Sequence, residues 1–127
     1  EVVSEHYSAE DFGTSLIIRL TYRSSDKKKV RIYMILENSL VLRAVSATLD
    51  MPLTKMDKLV MNAGKELSIR IAEQLGIHRQ MSSQYQLESS HIIAAEQFRK
   101  MFYQEVFDYS LLLNTKQGYF AFCVKSE

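Results

Sequence analysis

Apolar positions recur along this chain with two different periods. From Gly13 to Arg23 the run GTSLIIRLTYR alternates, with Leu16, Ile18, Leu20 and Tyr22 on one face and Ile17, Arg19, Thr21 and Arg23 on the other. Such a run, rich in β-branched and aromatic residues, predicts a strand. The polar cluster SSDKKK follows as a turn, and VRIYMIL, 30–36, predicts a second strand with Val30, Ile32, Met34 and Leu36 turned inward. The two make a hairpin with Lys27, Lys28 and Lys29 as its solvated tip. The pattern leaves open whether EVVSEHY, 1–7, adds a further strand.

The period then changes. Leu40, Val41, Ala44, Val45, Thr48 and Leu49 recur at helical spacing, with Asn38 or Ser39 available as a cap. Met51-Pro52 ends this helix, because the residue before a proline avoids the α region. A second helix starts after Thr54, where Thr54-Lys-Met-Asp57 resembles a capping box with Asp in place of the usual Glu or Gln. Its apolar stripe is Met56, Leu59, Val60, Ala63, Leu67, Ile71 and Leu75, as in a helix lying on a sheet, and Gly76 stands where a helix stops. QMSSQYQLES, 80–89, reads as an edge or solvent-facing strand, and Ser90 as the cap of a short helix through IIAAEQFRKMF. EVFDYSLLLNT, KQG and YFAFCVK form a hairpin with Gly118 in the turn, where Tyr119, Ala121 and Cys123 alternate with Phe120, Phe122 and Val124.

Strands and helices are thus grouped, which predicts an α+β fold: a mostly antiparallel sheet with two consecutive helices packed on one face. A chain of 127 residues fits a single domain over 1–127, and it buries enough surface to fold without metals or disulfides. Hydrophobic residues make up 46% and charged residues 24%, the balance of a soluble globular protein, and no apolar run approaches the ~20 residues of a membrane span. The chain opens on Glu1 with neither methionine nor a signal-peptide pattern, and is read as an N-terminally trimmed cytoplasmic domain. The lone Cys123 has no internal bridging partner and reads as a small buried residue. A formal charge of +1 gives no reason to expect a nucleic-acid partner.

Motifs for catalysis are sparse. His6, His78 and His91 stand apart, without the spacing of a zinc site, and no P-loop, G-x-S-x-G or G-x-G-x-x-G is present. No cofactor and no metal site is expected. Glu37, Asp50 and Asp57 fall near helix starts, where carboxylates ordinarily answer the helix dipole. The second helix is different. Asn62, Glu66, Ile69 and Glu73 are separated by four, three and four residues and so share one side, away from the apolar stripe. An acid there can bind a partner's lysine, and an amide one turn away can orient a water for attack on a phosphoryl group.

The stretch AGKELSIRIAEQLG is similar to the A-x-G-E-x-x-N-x-x-A-G segment of the CheC/CheX/FliY family, with the glycine displaced by one. That family comprises phosphatases of the phosphorylated chemotaxis regulator CheY. The order of elements from about residue 12 onward also resembles it, through ENSLVLRAVSATLDM, the link PLTKMD and the final hairpin. The resemblance implies that Glu66 is the acid that binds a lysine of the regulator, and that Asn62 stands where the family has Asp or Ser. Ile69 stands where the family has its water-orienting Asn, and the family's downstream proline is absent around Ser89 and Ser90. Isoleucine neither donates nor accepts a hydrogen bond. Were Asn62 to act instead, its amide would stand roughly 10 Å along the axis from the family position, at ~1.5 Å rise per residue.

Three readings follow. The first is a CheX-like chemotaxis or two-component signalling module without a functional phosphatase site. It would bind a CheY-like receiver domain or another signalling protein through Glu66, Ile69 and Glu73, or pair with itself along the edge of the first hairpin, without nucleic-acid or membrane partners. In this reading Ile69 is an exposed apolar contact point. The second is an active phosphoaspartate phosphatase using Glu66 and Asn62. The third is an unrelated α+β ligand-binding domain with a pocket lined by Met34, Met56 and Tyr22.

Overall fold

The computed structural model describes residues 2–4, 15–76, 85–104, 107–115 and 118–126. The elements are β1 (Val2–Ser4), β2 (Ser15–Ser24), β3 (Lys29–Glu37), α1 (Asn38–Leu49), α2 (Lys58–Leu75), β4 (Tyr85–Ile93), α3 (Ala95–Gln104), β5 (Tyr109–Thr115) and β6 (Gly118–Ser126). The strands form one sheet in the order β1-β5-β6-β3-β2-β4, and every neighbouring pair is antiparallel. The α+β architecture read from the alternating and helical periods is present, with β1 added at one edge beside β5.

Both faces of the sheet carry apolar residues, because the inner strands alternate between two apolar sets. Leu16, Ile18, Leu20 and Tyr22 of β2, with Val30, Ile32, Met34 and Leu36 of β3 and Phe122 of β6, form one core beneath α1 and α2. Ile17, Tyr33, Ile35, Ile93, Ala121 and Cys123 form a second core on the other side, sealed by Phe98 of α3. Phe98 stacks between Tyr33, Phe102 and Phe107, with ring centroids 5.3–6.2 Å apart. Two consecutive helices on one face is therefore only part of the architecture. A third helix covers the opposite face, and the polar character of its exposed side concealed a single fully buried aromatic anchor.

Several boundaries differ from the sequence reading, each for a local reason. Neither Asn38 nor Ser39 caps α1: the helix follows directly from β3, with Glu37 at the N-cap position and no side-chain cap. The Glu37 carboxylate instead accepts the Tyr119 N–H at 2.9 Å, tying the start of β6 to the β3–α1 junction. Asp50 ends α1 in the left-handed region at φ 53°, one residue ahead of Met51-Pro52. Asp57, not Thr54, caps α2, accepting the Val60 N–H at 2.9 Å, and Gly76 closes it at φ 65°. Ser90 is not a helix cap. β4 continues through Ile93, because Ile92 and Ile93 pair with Ile18 and Ile17, and α3 begins only at Ala95.

The first hairpin is not an edge. β2 lies between β3 and β4, and β3 between β2 and β6, so its strands are the middle of the sheet. The long Ile-, Leu- and Val-rich runs are those of strands buried on both faces. β1 and β4 are the edge strands.

Candidate functional site

The α2 helix is held to the sheet by small residues. Val60, Gly64, Ser68 and Ala72, each four apart, are its buried positions. This is a narrower and differently centred stripe than the one read from the large apolar residues. Leu59 and Leu75 of that predicted stripe are 56% and 43% exposed. The reason is distance. A Cβ on Gly64 would stand 2.5 Å from Leu16 Cδ2 and 3.0 Å from Val41 Cγ1, so helix, sheet and α1 meet at a point where only hydrogen fits. Ser68 lies one turn on, fully buried, and its hydroxyl donates to the Gly64 carbonyl at 3.0 Å, so this close approach leaves no polar atom of the serine stranded. The signal for this register was present in the V-x-x-x-G-x-x-x-S-x-x-x-A spacing, where small residues rather than large ones mark the contact.

This register decides what the candidate residues can do. With about 100° of turn per residue, Asn62, Glu66 and Glu73 fall on the side opposite Gly64, and all three are exposed. Ile69 is not the bare apolar point expected from the sequence. It lies on the shoulder of the helix, half-buried, and packs against the core beneath α2. An isoleucine there excludes water from the helix–sheet seam and contributes roughly half the ~1.5–3 kcal/mol of a fully buried side chain. Glu73, one turn further on, lies close enough to the Tyr22 phenol to act on it electrostatically. Burial first, and then the Glu73 charge, push that phenol up to about 12.

The other shoulder of α2 faces α1. Between them runs an open groove of about 190 Å³ lined by Ala44, Val45, Thr48, Leu49, Ala63, Glu66, Leu67 and Arg70. Its floor is apolar and its rim carries Glu66 and Arg70, one helical turn apart. Leu49 remains 40% exposed at its end. The sequence reading found Glu66 but not the groove. The closeness of the two helices comes from Gly64 against Val41, which spacing along one helix does not reveal.

The remaining candidates have structural work. Glu37, Asp50 and Asp57 hold the β3–α1–β6 junction and the two helix ends described above, not a shared cation. Among the described residues no group of three or more His, Cys, Asp or Glu is arranged to hold a metal ion. His91 lies exposed on β4, and His6 and His78 lie outside the described residues. Cys123 is buried in the second core, where burial pushes its thiol up to about 11 despite a hydrogen bond with Ser110. Met34 and Tyr22 are buried in one packed cluster with Met56 against it. They line neither the α1–α2 groove nor the hollow beside Arg23. Among the described residues no helix is long and apolar enough to cross a membrane.

By sequence, no protein-family model and no curated protein matches the chain. By structure, the likeness is extensive. The crystal structure of the chemotaxis protein CheX from Vibrio vulnificus superposes on 100% of this chain and 82% of its own, with a TM-score of 0.61 and 7% identity. A chemotactic CheC-like protein from Shewanella oneidensis MR-1 covers 100% of this chain and 80% of its own, with a TM-score of 0.58 and 12% identity. A CheC-like superfamily protein from Shewanella sp. PV-4 covers 98% and 80%, with a TM-score of 0.54 and 13% identity. The chain has a CheC/CheX-like fold.

Proposed function

We propose that this chain is a chemotaxis-type signalling module that binds a response-regulator receiver domain in the cytoplasm and does not remove its phosphoryl group. The receiver docks along the α1–α2 groove and the outer side of α2. Glu66, exposed at the groove rim, accepts a lysine of the receiver. Leu49 and Leu67 supply apolar contact beside it, and Asn62 and Glu73 flank it on the same side of the helix. Ile69 closes the edge of this surface next to the core rather than forming its centre.

The observation that carries the absence of hydrolysis is Ile69. Hydrolysis of an acyl phosphate requires an in-line water held by a hydrogen-bonding group. The position that the family resemblance assigns to that group holds a hydrocarbon half-buried in the helix–sheet seam. Such a side chain orients no water, and displacing it would expose apolar surface.

Asn62 and Glu66 are nevertheless both exposed, one turn apart on one side, which supports a second reading: a phosphatase whose amide lies on the N-terminal side of the acid. An amide displaced by roughly 10 Å along the helix is far outside the ~1 Å tolerance of a positioned water. Phosphate release from a phosphorylated receiver domain separates the two readings. The binding module leaves the rate at its spontaneous value, whereas acceleration abolished by Glu66→Ala would establish the phosphatase. A homodimer formed by sheet extension would use β4 or β1, since β2 and β3 are interior.

A further inference from the structure

α2 carries an acid and a base that have no counterpart among the described residues. Leu59, Ala63, Glu66, Arg70 and Gln74 are separated by four, three, four and four residues. They therefore share one side of the helix, the side on which Ala63, Glu66 and Arg70 line the groove. Glu66 four residues ahead of Arg70 is the order that favours an ion pair along a helix. Among the described residues neither forms one, with the other or with any further side chain. Both lie exposed.

Apolar surface lies beside them. Among the described residues the exposed large hydrophobics are Leu49, Met51, Leu59, Leu75, Leu87 and Ile92. The first three fall where α1 ends and α2 begins, and Leu49 also lines the groove. Leu59, at 56%, is the most exposed of them all. Exposed apolar side chains rimmed by charge mark an interaction surface.

We infer that the partner fitted to this side of α2 is a second copy of the chain, with the two α2 helices antiparallel about a two-fold axis. Charge order selects it. A surface of cations alone would answer Glu66 and repel Arg70, and a surface of acids alone would do the reverse. What answers both is a base and an acid one turn apart in the opposite order. The same helix turned end for end presents them, so Glu66 and Arg70 of one copy meet Arg70 and Glu66 of the other. Contacts across a two-fold axis are self-complementary in this way. The same antiparallel register sets Asn62 opposite Gln74 of the second copy, and each amide both donates and accepts.

The area sets the strength. From Leu59 to Gln74 α2 runs about 22 Å at ~1.5 Å per residue, and two adjacent helices present a face roughly 20 Å wide. That gives on the order of 450 Å² per copy and about 900 Å² in all, below the ~1,200 Å² of stable complexes. The pairing is therefore weak and depends on concentration. It differs from sheet extension, which leaves α2 open. Because it covers Glu66 and Leu49, it competes with receiver docking. That consequence rests on the receiver-docking reading, whereas the pairing itself is measured with no receiver present.

Sedimentation equilibrium of the purified chain should show monomer and dimer in exchange, with a Kd between about 10 and about 500 μM. Glu66→Arg sets cations opposite cations across the axis, and Arg70→Glu sets acids opposite acids, so each alone should weaken association at least about tenfold. Both positions are exposed, so the fold should be unaffected. Mixed in equal amounts, the two variants regain opposite charges at both contacts and should form a heterodimer within about threefold of the original affinity. Leu59→Asp should also weaken association by at least about threefold, and it decides the matter if a reversal fails to fold. An unaltered chain that stays monomeric through that concentration range would overturn the inference. So would association indifferent to the reversals or to Leu59→Asp, as a sheet-edge dimer would show, or a mixture of the two reversals that stays monomeric.

Discussion

Replacing Gly64 by alanine asks whether α2 is seated where its small-residue stripe places it. In an exposed helix interior this change stabilises by up to ~1 kcal/mol, because glycine is the weaker helix former. Here the added methyl would stand 2.5 Å from Leu16 Cδ2 and 3.0 Å from Val41 Cγ1, against an ordinary contact of 3.4–4 Å. Leu16 is 4% exposed and Val41 wholly buried, so neither has open space to enter. Overpacking of this kind costs ~1–3 kcal/mol. The two effects leave a net loss of about 1 kcal/mol, or roughly 3–6 °C in Tm for a chain of this size. The decisive feature is sign. In a Leu16→Val background the Cδ2 atom is gone, and Gly64→Ala should become neutral or stabilising. Urea unfolding of the four proteins followed by far-UV circular dichroism measures the cycle, with an expected coupling of about 1–2 kcal/mol. If Gly64→Ala stabilises the unaltered chain, or if the two changes add to within ~0.3 kcal/mol, the α2–Leu16 contact is not the tight one described and the groove beside it is not fixed by Gly64.

Ile69→Asn should destabilise the fold by about 1–2 kcal/mol, from lost half-burial and a polar group placed in the seam; a melting temperature unchanged within a degree or so would show that Ile69 is not packed. Asp57→Ala removes the carboxylate that receives the Val60 N–H and should cost ~1 kcal/mol, with Asp57→Asn retaining most of that stability in the same urea titration. At high pH the fold should weaken in two overlapping windows. Cys123 is raised from 9.0 to about 11 and Tyr22 from 10.0 to about 12, so each contribution is complete below the unfolded value. Each is lost as pH rises through the folded value, at up to ~2 kcal/mol apiece. Equilibrium unfolding from pH 8 to 11 should show falling stability, and Cys123→Ala should flatten the lower window; a stability that is level across this range would contradict the burial of both groups.

The fold was largely legible because the inner strands announce themselves. Two interleaved apolar sets in β2, β3 and β6 leave little choice of register or face, and the residues named inward in the sequence are those of the first core. The second core was hidden in plain view on the alternate positions, Ile17, Tyr33, Ile35, Ala121 and Cys123, and it implied a cover that one phenylalanine of a polar helix provides. Placing the first hairpin at an edge failed for the same reason: strands apolar on both faces belong in the middle of a sheet. On α2, reading the large residues as the buried stripe misplaced Leu59 and Leu75, because close helix–sheet contact is made by Gly64, Ser68 and Ala72. Asn62, Glu66 and Glu73 were found on one exposed side by spacing alone. The half-burial of Ile69 and the groove along α1 depend on how far the helix is rolled against the sheet, which only tertiary contact sets.

The docking of a receiver domain without hydrolysis is tested most directly by titrating a phosphorylated receiver domain with the unaltered chain, Glu66→Ala and Leu49→Asp, with affinity and phosphate release read from the same samples. The account predicts saturable binding, weakened at least tenfold by each substitution (~1.4 kcal/mol or more), with phosphate release at its spontaneous rate throughout. Binding indifferent to both substitutions, or release accelerated by the unaltered chain and lost in Glu66→Ala, would contradict it.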